Sequence, residues 1–345
     1  MPRPATVGGV TRRLWLVGTA GLTAGAVVAT VALAPEGSAP PGRALQWLLF
    51  VGSSVHVAAT AWFFTVPEVR RHAWQSRMRY VHVPAALVVL CAAVAALLPA
   101  RLLAWPLLGF FAWQFFHFQK QNLGLAALAG VAHGAGSLRP GERRAVVAAG
   151  LAGTAALLVR PELLQLAVDT RMPWLFPLAG AVFAGAVLAG VRLFLRRPRQ
   201  ARPAPFAVVY GISLLFFAPV FVFASPYAAV AGLTIAHGYQ YLLIVGLVAG
   251  ARTPSADRPA PVLGLAAFVN IALLGGLALN AASHLHDGGP VARAVFGAYT
   301  GLLMAHFVVD AGLWRLRDAF PRAFLTERLP YLLARSAPAA ATGGA

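Results

Sequence analysis

The sequence predicts an all-α fold, a polytopic integral membrane bundle of about ten transmembrane helices forming one domain. Three observations lead to that expectation. Only 11% of the residues are charged and 59% are hydrophobic, whereas an ordinary soluble domain carries roughly 25% charged residues. Apolar stretches of about 20 residues, enough for a helix to cross a hydrocarbon layer of about 30 Å, recur along the whole chain. These stretches lack the period-two alternation of barrel strands, and in lipid only helices and closed barrels satisfy their backbone groups.

In chain order the spans fall at 14–34, 44–66, 80–98, 102–134, 145–159, 174–195, 205–224, 227–249, 261–281 and 293–314, with 315–345 as a tail. The first follows Arg12 and Arg13 like a signal peptide. Its apolar run, however, exceeds the roughly 7–15 residues of a signal-peptide core, so it reads as a retained span. The fourth is overlong and is interrupted by Gln119-Lys120-Gln121-Asn122, which reads as a broken or strongly tilted helix. Clusters such as Arg196-Arg197-Pro198 and Arg252-Thr253-Pro254 punctuate the later spans. No internal repeat and no soluble domain stands out.

Orientation follows from the arginines, because loops rich in Arg and Lys stay in the cytoplasm. An even number of spans with both termini inside leaves only Arg43, Arg101, Arg160, Arg171 and Arg293 in outside loops. Miscounting one span would destroy that asymmetry. The net charge of +18 therefore describes a multi-pass protein of the cell membrane, with the lipid bilayer as partner and no nucleic acid. The one cysteine, Cys91, lies in an apolar stretch and can form no intramolecular disulfide.

Against this apolar background the buried polar residues are informative, since an ionisable group at mid-membrane costs about 2.5–3.5 kcal/mol on insertion scales. His56, His117, His237 and His306 fall well inside four separate spans, at similar depth. Nine of the ten acidic residues lie in loops or at span ends; the exception is Asp310, one turn from His306. Polar companions sit three or four residues away, on the same helical face: Thr60 beside His56, Gln121 beside His117, and Gln240 and Tyr241 beside His237. Together with Asn122 they are suited to hold imidazole N–H groups, as the partners of metal-binding histidines do. Asp310 is either part of that site or a structural tie to Arg315 or Arg317. Lys120, the only lysine in the chain, is either a catalytic cation near the site or a side chain snorkelling at a helix break.

Phosphate loops, CxxC pairs and HExxH motifs are absent. His284-Leu285-His286-Asp287 reads as a solvated outside loop. The segment His237-Gly238-Tyr239-Gln240-Tyr241 resembles the Brp/Blh family of bacterial membrane β-carotene 15,15'-dioxygenases, and His56, His117 and His237 are spaced similarly to that family's first three ligands. The resemblance covers three short motifs. It implies a multi-span helical protein that binds iron through histidines and cleaves a carotenoid double bond with O2. The chain departs from the family at Tyr241, where a further histidine is expected; His306 would have to take its place from another span.

Three functions follow. One is a metal-dependent oxygenase, with iron(II) and a lipophilic small-molecule substrate. The second is a transporter or channel that uses the histidines and Asp310 as a proton or cation relay. The third is a haem-binding electron-transfer protein.

Overall fold

A computed structural model of the chain describes residues 4–36, 39–170, 172, 174–251 and 261–333. Among these residues there is no strand. The helices are α1 (Pro4–Leu33), α2 (Arg43–Thr65), α3 (Pro67–Gln75), α4 (Met78–Leu97), α5 (Ala104–Ala132), α6 (Pro140–Val159) and α7 (Leu175–Leu195). They continue with α8 (Ala204–Leu215), α9 (Ala218–Val222), α10 (Tyr227–Ala249), α11 (Pro261–Ser283), α12 (Pro290–Leu313), α13 (Ala319–Arg328) and α14 (Pro330–Leu333).

Seven of them, α1, α2, α4, α7, α10, α11 and α12, are long and apolar enough to cross a membrane. The chain is a helical membrane protein. The other three expected spans are also helical. They coincide with α5, with α6, and with α8 and α9 separated by a break at Phe216-Phe217. Arg3, Arg171, Arg252 and Arg258, and the tail from residue 334 including Arg335, lie outside the described residues.

Of the two forms expected for the fourth span, broken or strongly tilted, the break is not found. Helix α5 runs unbroken through Gln119-Lys120-Gln121-Asn122. Within the run the Gln119 and Gln121 amides bond to neighbouring helices, while Asn122 donates to the Phe118 carbonyl one turn back on its own helix. The Gln119 Nε2 donates to the carbonyls of Val146 on α6 (2.5 Å) and Ser213 on α8 (3.1 Å). Gly150 of α6 packs directly on the Gln119 side chain. In a bilayer such interhelical bonds contribute about 0.6 kcal/mol each on average, and they fix which helices are neighbours.

Helix α1 is integral to the bundle: Trp15 is fully buried, and Thr23 accepts a hydrogen bond from Gln240 of α10 at 2.7 Å. Helix α12 packs on α4 through Gly297 and Gly301. A methyl group on Gly297 would strike the Cys91 carbonyl, and one on Gly301 would lie 2.6 Å from the Val88 Cα. This four-residue spacing of small residues is the usual means of close helix approach in lipid, where apolar burial alone gives helices no reason to associate.

One end of the bundle is clamped by charge. Arg197, after α7, pairs with Glu142 of α6 and also donates to the carbonyls of Ala135 and Ser137, each at 2.9 Å. Glu142 in turn caps its own helix by accepting from the Arg139 N–H at 2.7 Å. Arg12 of α1 donates to the Tyr331 carbonyl of α14 at 2.9 Å. The start of the first helix and the last described helix therefore meet on the same side.

Candidate metal centre

Local backbone geometry brings the four histidines together. Helix α2 is α-helical from Arg43, widens into a π-helical turn at Val51–Val55, and tightens into a 3₁₀ turn at Thr60–Thr65. His56 follows the wide turn directly, and Thr60 opens the narrow one. Helix α10 likewise opens on a π turn, Tyr227–Ala231. Such turns recur at functional sites because they rotate the side chains that follow them.

Gly52, inside the π turn, meets Gly238 of α10 backbone to backbone; a methyl group on Gly238 would collide with the Gly52 carbonyl. One on Gly52 would lie 2.7 Å from the Ile235 Cα. That contact sets His56, four residues past one glycine, beside His237, one residue before the other.

The rings then form a closed circuit, each meeting two others edge to face. Centroids are 5.0 Å apart for His56–His237, 5.0 Å for His237–His117, 5.3 Å for His117–His306 and 5.1 Å for His306–His56. All four are buried. The Nε2 atom of every one of them is buried without a hydrogen-bond partner. Phe118 stacks on His237 at 4.0 Å and Phe307 on His117 at 4.5 Å, so the two imidazoles are held from behind by aromatic planes.

Asp310 closes one side. Its Oδ2 lies 3.8 Å from the His306 Nε2 and 4.0 Å from the His117 Nε2. Its Oδ1 accepts from the Tyr241 hydroxyl at 2.8 Å. Tyr241 bonds to the Thr60 hydroxyl at 2.7 Å, and Thr60 bonds to the His306 Nδ1 at 2.6 Å.

Two overlapping groups of side chains could each hold a metal ion. Ligand atoms of His56, His237 and His306 lie within 4.8 Å of one another, as do those of His117, His306 and Asp310. Two nitrogens at about 2.1 Å from one metal stand no more than about 4.2 Å apart. Three ligands about one metal at that distance stand roughly 3.4–3.6 Å apart, so either set holds an ion only once its side chains draw together.

The expected site residues divide into three groups. His56, His117, His237, His306, Asp310, Thr60 and Tyr241 come together. Gln121, Asn122 and Gln240 do not touch the imidazole nitrogens. Gln121 donates to the His237 carbonyl and to Gln240, each at 3.0 Å, and Gln240 also donates to Asn122. They tie α5 to α10 and so hold His117 and His237 at one depth, which is support of the backbone rather than of the rings. Lys120 is outside the cluster: it is exposed, with its ammonium 6.0 Å from the Phe116 ring centroid. A residue three positions after His117 lies about 60° away around the helix, enough to move from the inner to the outer face. The tie from Asp310 to Arg315 or Arg317 is also not formed: Arg315 and Arg317 both lie against Asp318, at 3.7 and 4.0 Å.

Sequence reasoning missed the glycine contact and the two π turns. The glycines are visible as Gly52 and Gly238 near two of the histidines, but nothing in the sequence says that they face each other. No protein-family model, curated protein or solved structure matches the chain.

Proposed function

We propose that the chain is an integral membrane metal-dependent oxygenase, with iron(II) held by His56, His117, His237 and His306 and a lipophilic substrate that enters from the bilayer. The observation that carries this reading is the convergence of four buried, unpartnered Nε2 atoms from four helices. Each unsatisfied buried polar atom costs about 1–3 kcal/mol. A shared cation relieves all four at once.

Imidazoles with one carboxylate and no thiolate suit iron, copper or zinc. The resemblance of the His237 segment to a family of iron dioxygenases favours iron(II). When bound, that ion supplies the O2 chemistry. The protein's own groups hold the ligands and exclude water. Phe118 and Phe307 back two imidazoles, and Phe110 continues the apolar wall by stacking on Phe307 at 6.2 Å. The apolar surroundings and the bundle's apolar exterior suit a lipophilic substrate.

The same packing weighs against haem. Edge-to-face contact of four rings at 5.0–5.3 Å fills the space a porphyrin plane needs between two axial imidazoles. A proton relay has one observation of its own, the hydrogen-bonded chain from His306 through Thr60 and Tyr241 to Asp310.

O2 uptake by iron(II)-loaded, detergent-purified protein tests the proposal, with a conjugated polyene as probe substrate. Uptake is expected only with both iron and polyene, and His237→Ala should abolish it. Iron-loaded protein that consumes no O2 with any apolar probe, yet moves protons across vesicles, would replace the oxygenase with the relay. The arginine distribution supports ten crossings of the cell membrane with both termini in the cytoplasm, and the Arg12–Tyr331 contact supports an even number of them.

A further inference from the structure

We propose that the corner between α2 and α4 is a binding site for an anionic phospholipid, whose phosphate meets Arg70 and Arg71 and whose acyl chain enters the groove beside them. The site does not depend on the metal reading above.

Helix α3 forms this corner. Val69 and Ala73, one turn apart, are buried in the main core. His72 stacks on Phe320 of α13, with ring centroids 4.0 Å apart and planes 10° from parallel. Arg70, Arg71 and Trp74 are exposed, Trp74 to 71%. Residues three and four apart share a helical face, so the two guanidiniums and the indole form one open surface.

Beside that surface lies a groove of about 440 Å³. Phe64 from the end of α2, Ala73 and Trp74 from α3 and Val81 from the first turn of α4 line it, together with Arg70 and Arg71. Among the described residues neither guanidinium pairs with a carboxylate. Glu68 lies 3.9 Å from Arg328, and Asp318 lies against Arg315 and Arg317.

Apolar walls beside two cations select a ligand with an apolar chain and an anionic head. A guanidinium can fork onto two phosphate oxygens at once. Inorganic phosphate would satisfy the arginines and leave the groove empty, whereas a phospholipid satisfies both. The groove also sits where such a molecule is met. Phe64 and Val81 belong to Arg43–Thr65 and Met78–Leu97, two consecutive segments long and apolar enough to cross a membrane, and lie near the ends that α3 joins. Tryptophan is enriched at that level of a bilayer. On the orientation proposed above the corner is cytoplasmic, the side whose leaflet carries anionic lipid.

Fluorescence of Trp74 tests the site, taken as the difference between wild-type and Trp74→Phe protein. Both are placed in nanodiscs of phosphatidylcholine with a minority of phosphatidylglycerol, and the chains of one lipid or the other are brominated, since bromine quenches a touching indole. Brominated phosphatidylglycerol should quench Trp74 beyond its share of the lipid. A basic residue near an anionic surface strengthens attraction about fivefold, so Arg70→Gln and Arg71→Gln should each lower that preference by about that factor. Arg143→Gln/Arg144→Gln, on α6, should leave it unchanged. A nanodisc offers the same lipids to both faces, so a change in the direction of insertion would not alter the reading. Quenching by each lipid in proportion to its share, in the wild type, would overturn the proposal whatever the variants do. A preference abolished by inorganic phosphate at constant ionic strength would mark an anion site without a chain and overturn it too. Trp74 quenched by neither lipid, and shielded instead by a soluble acidic peptide, would give the corner to a protein partner.

Discussion

At the scale of single residues, the four histidines and Asp310 were legible because an apolar sequence makes every buried ionisable group conspicuous. Thr60 and Tyr241 were legible from helical spacing alone, being four residues past His56 and His237. Gln121, Asn122 and Gln240 show the limit of that rule. Spacing assigns a side chain to a face but not to a partner, and these amides found one another and the His237 carbonyl before any imidazole. Lys120 shows the same limit on α5, where the inner face is narrow enough that residues 117 and 120 part company. Being exposed and away from the rings, Lys120→Gln should change stability by no more than about 0.5 kcal/mol. It should also leave metal content and O2 uptake at the wild-type level. Loss of either in an inserted, folded variant would return Lys120 to the site.

At the scale of elements, the existence of the helices was legible and the geometry within them was not. Hydrophobicity marks α2 and α10 as spans, yet the turns that aim His56 and His237 depend on how the two backbones meet at Gly52 and Gly238. Gly238→Val should force the helices apart, with a loss of about 3 kcal/mol of stability, the upper end for overpacking. It should weaken metal binding as well, by separating His56 from His237. Thermal unfolding and metal titration of the one variant read both effects; a stable variant with weakened metal binding would confine the contact's role to the site. The α6–α7 clamp belongs to this scale too. Glu142→Ala leaves Arg197 without its carboxylate and the α6 terminus without its cap, and breaking such a buried pair costs about 3–5 kcal/mol. Thermal stability should fall accordingly while the metal content of the folded fraction stays unchanged.

At the scale of the whole molecule, the membrane class was legible from composition, and seven helices meet the length and apolarity of a span. The remaining three, read as spans from the sequence, are helices that fall short of that mark: polar side chains lie on α5 and charges at the start of α6, and the break after α8 leaves a short apolar helix. With ten crossings, reporter fusions after Arg79, Arg144 and Arg202 should report cytoplasm, and those near Pro40, Asp169 and Asp287 the outside; two or more reversals would end the ten-span arrangement. Convergence of four helices on one centre requires that His56, His117, His237 and His306 lie at the same depth, so topology and chemistry stand together. The most direct test of the shared centre is elemental analysis of purified protein, wild type beside the four His→Ala variants and Asp310→Asn. One transition-metal ion per wild-type chain is expected, with strong loss in each histidine variant and partial retention in Asp310→Asn, which keeps the shape and an acceptor but not the charge. Metal absent from active wild-type protein would contradict it outright, and metal unchanged in His306→Ala would reduce the centre to three histidines.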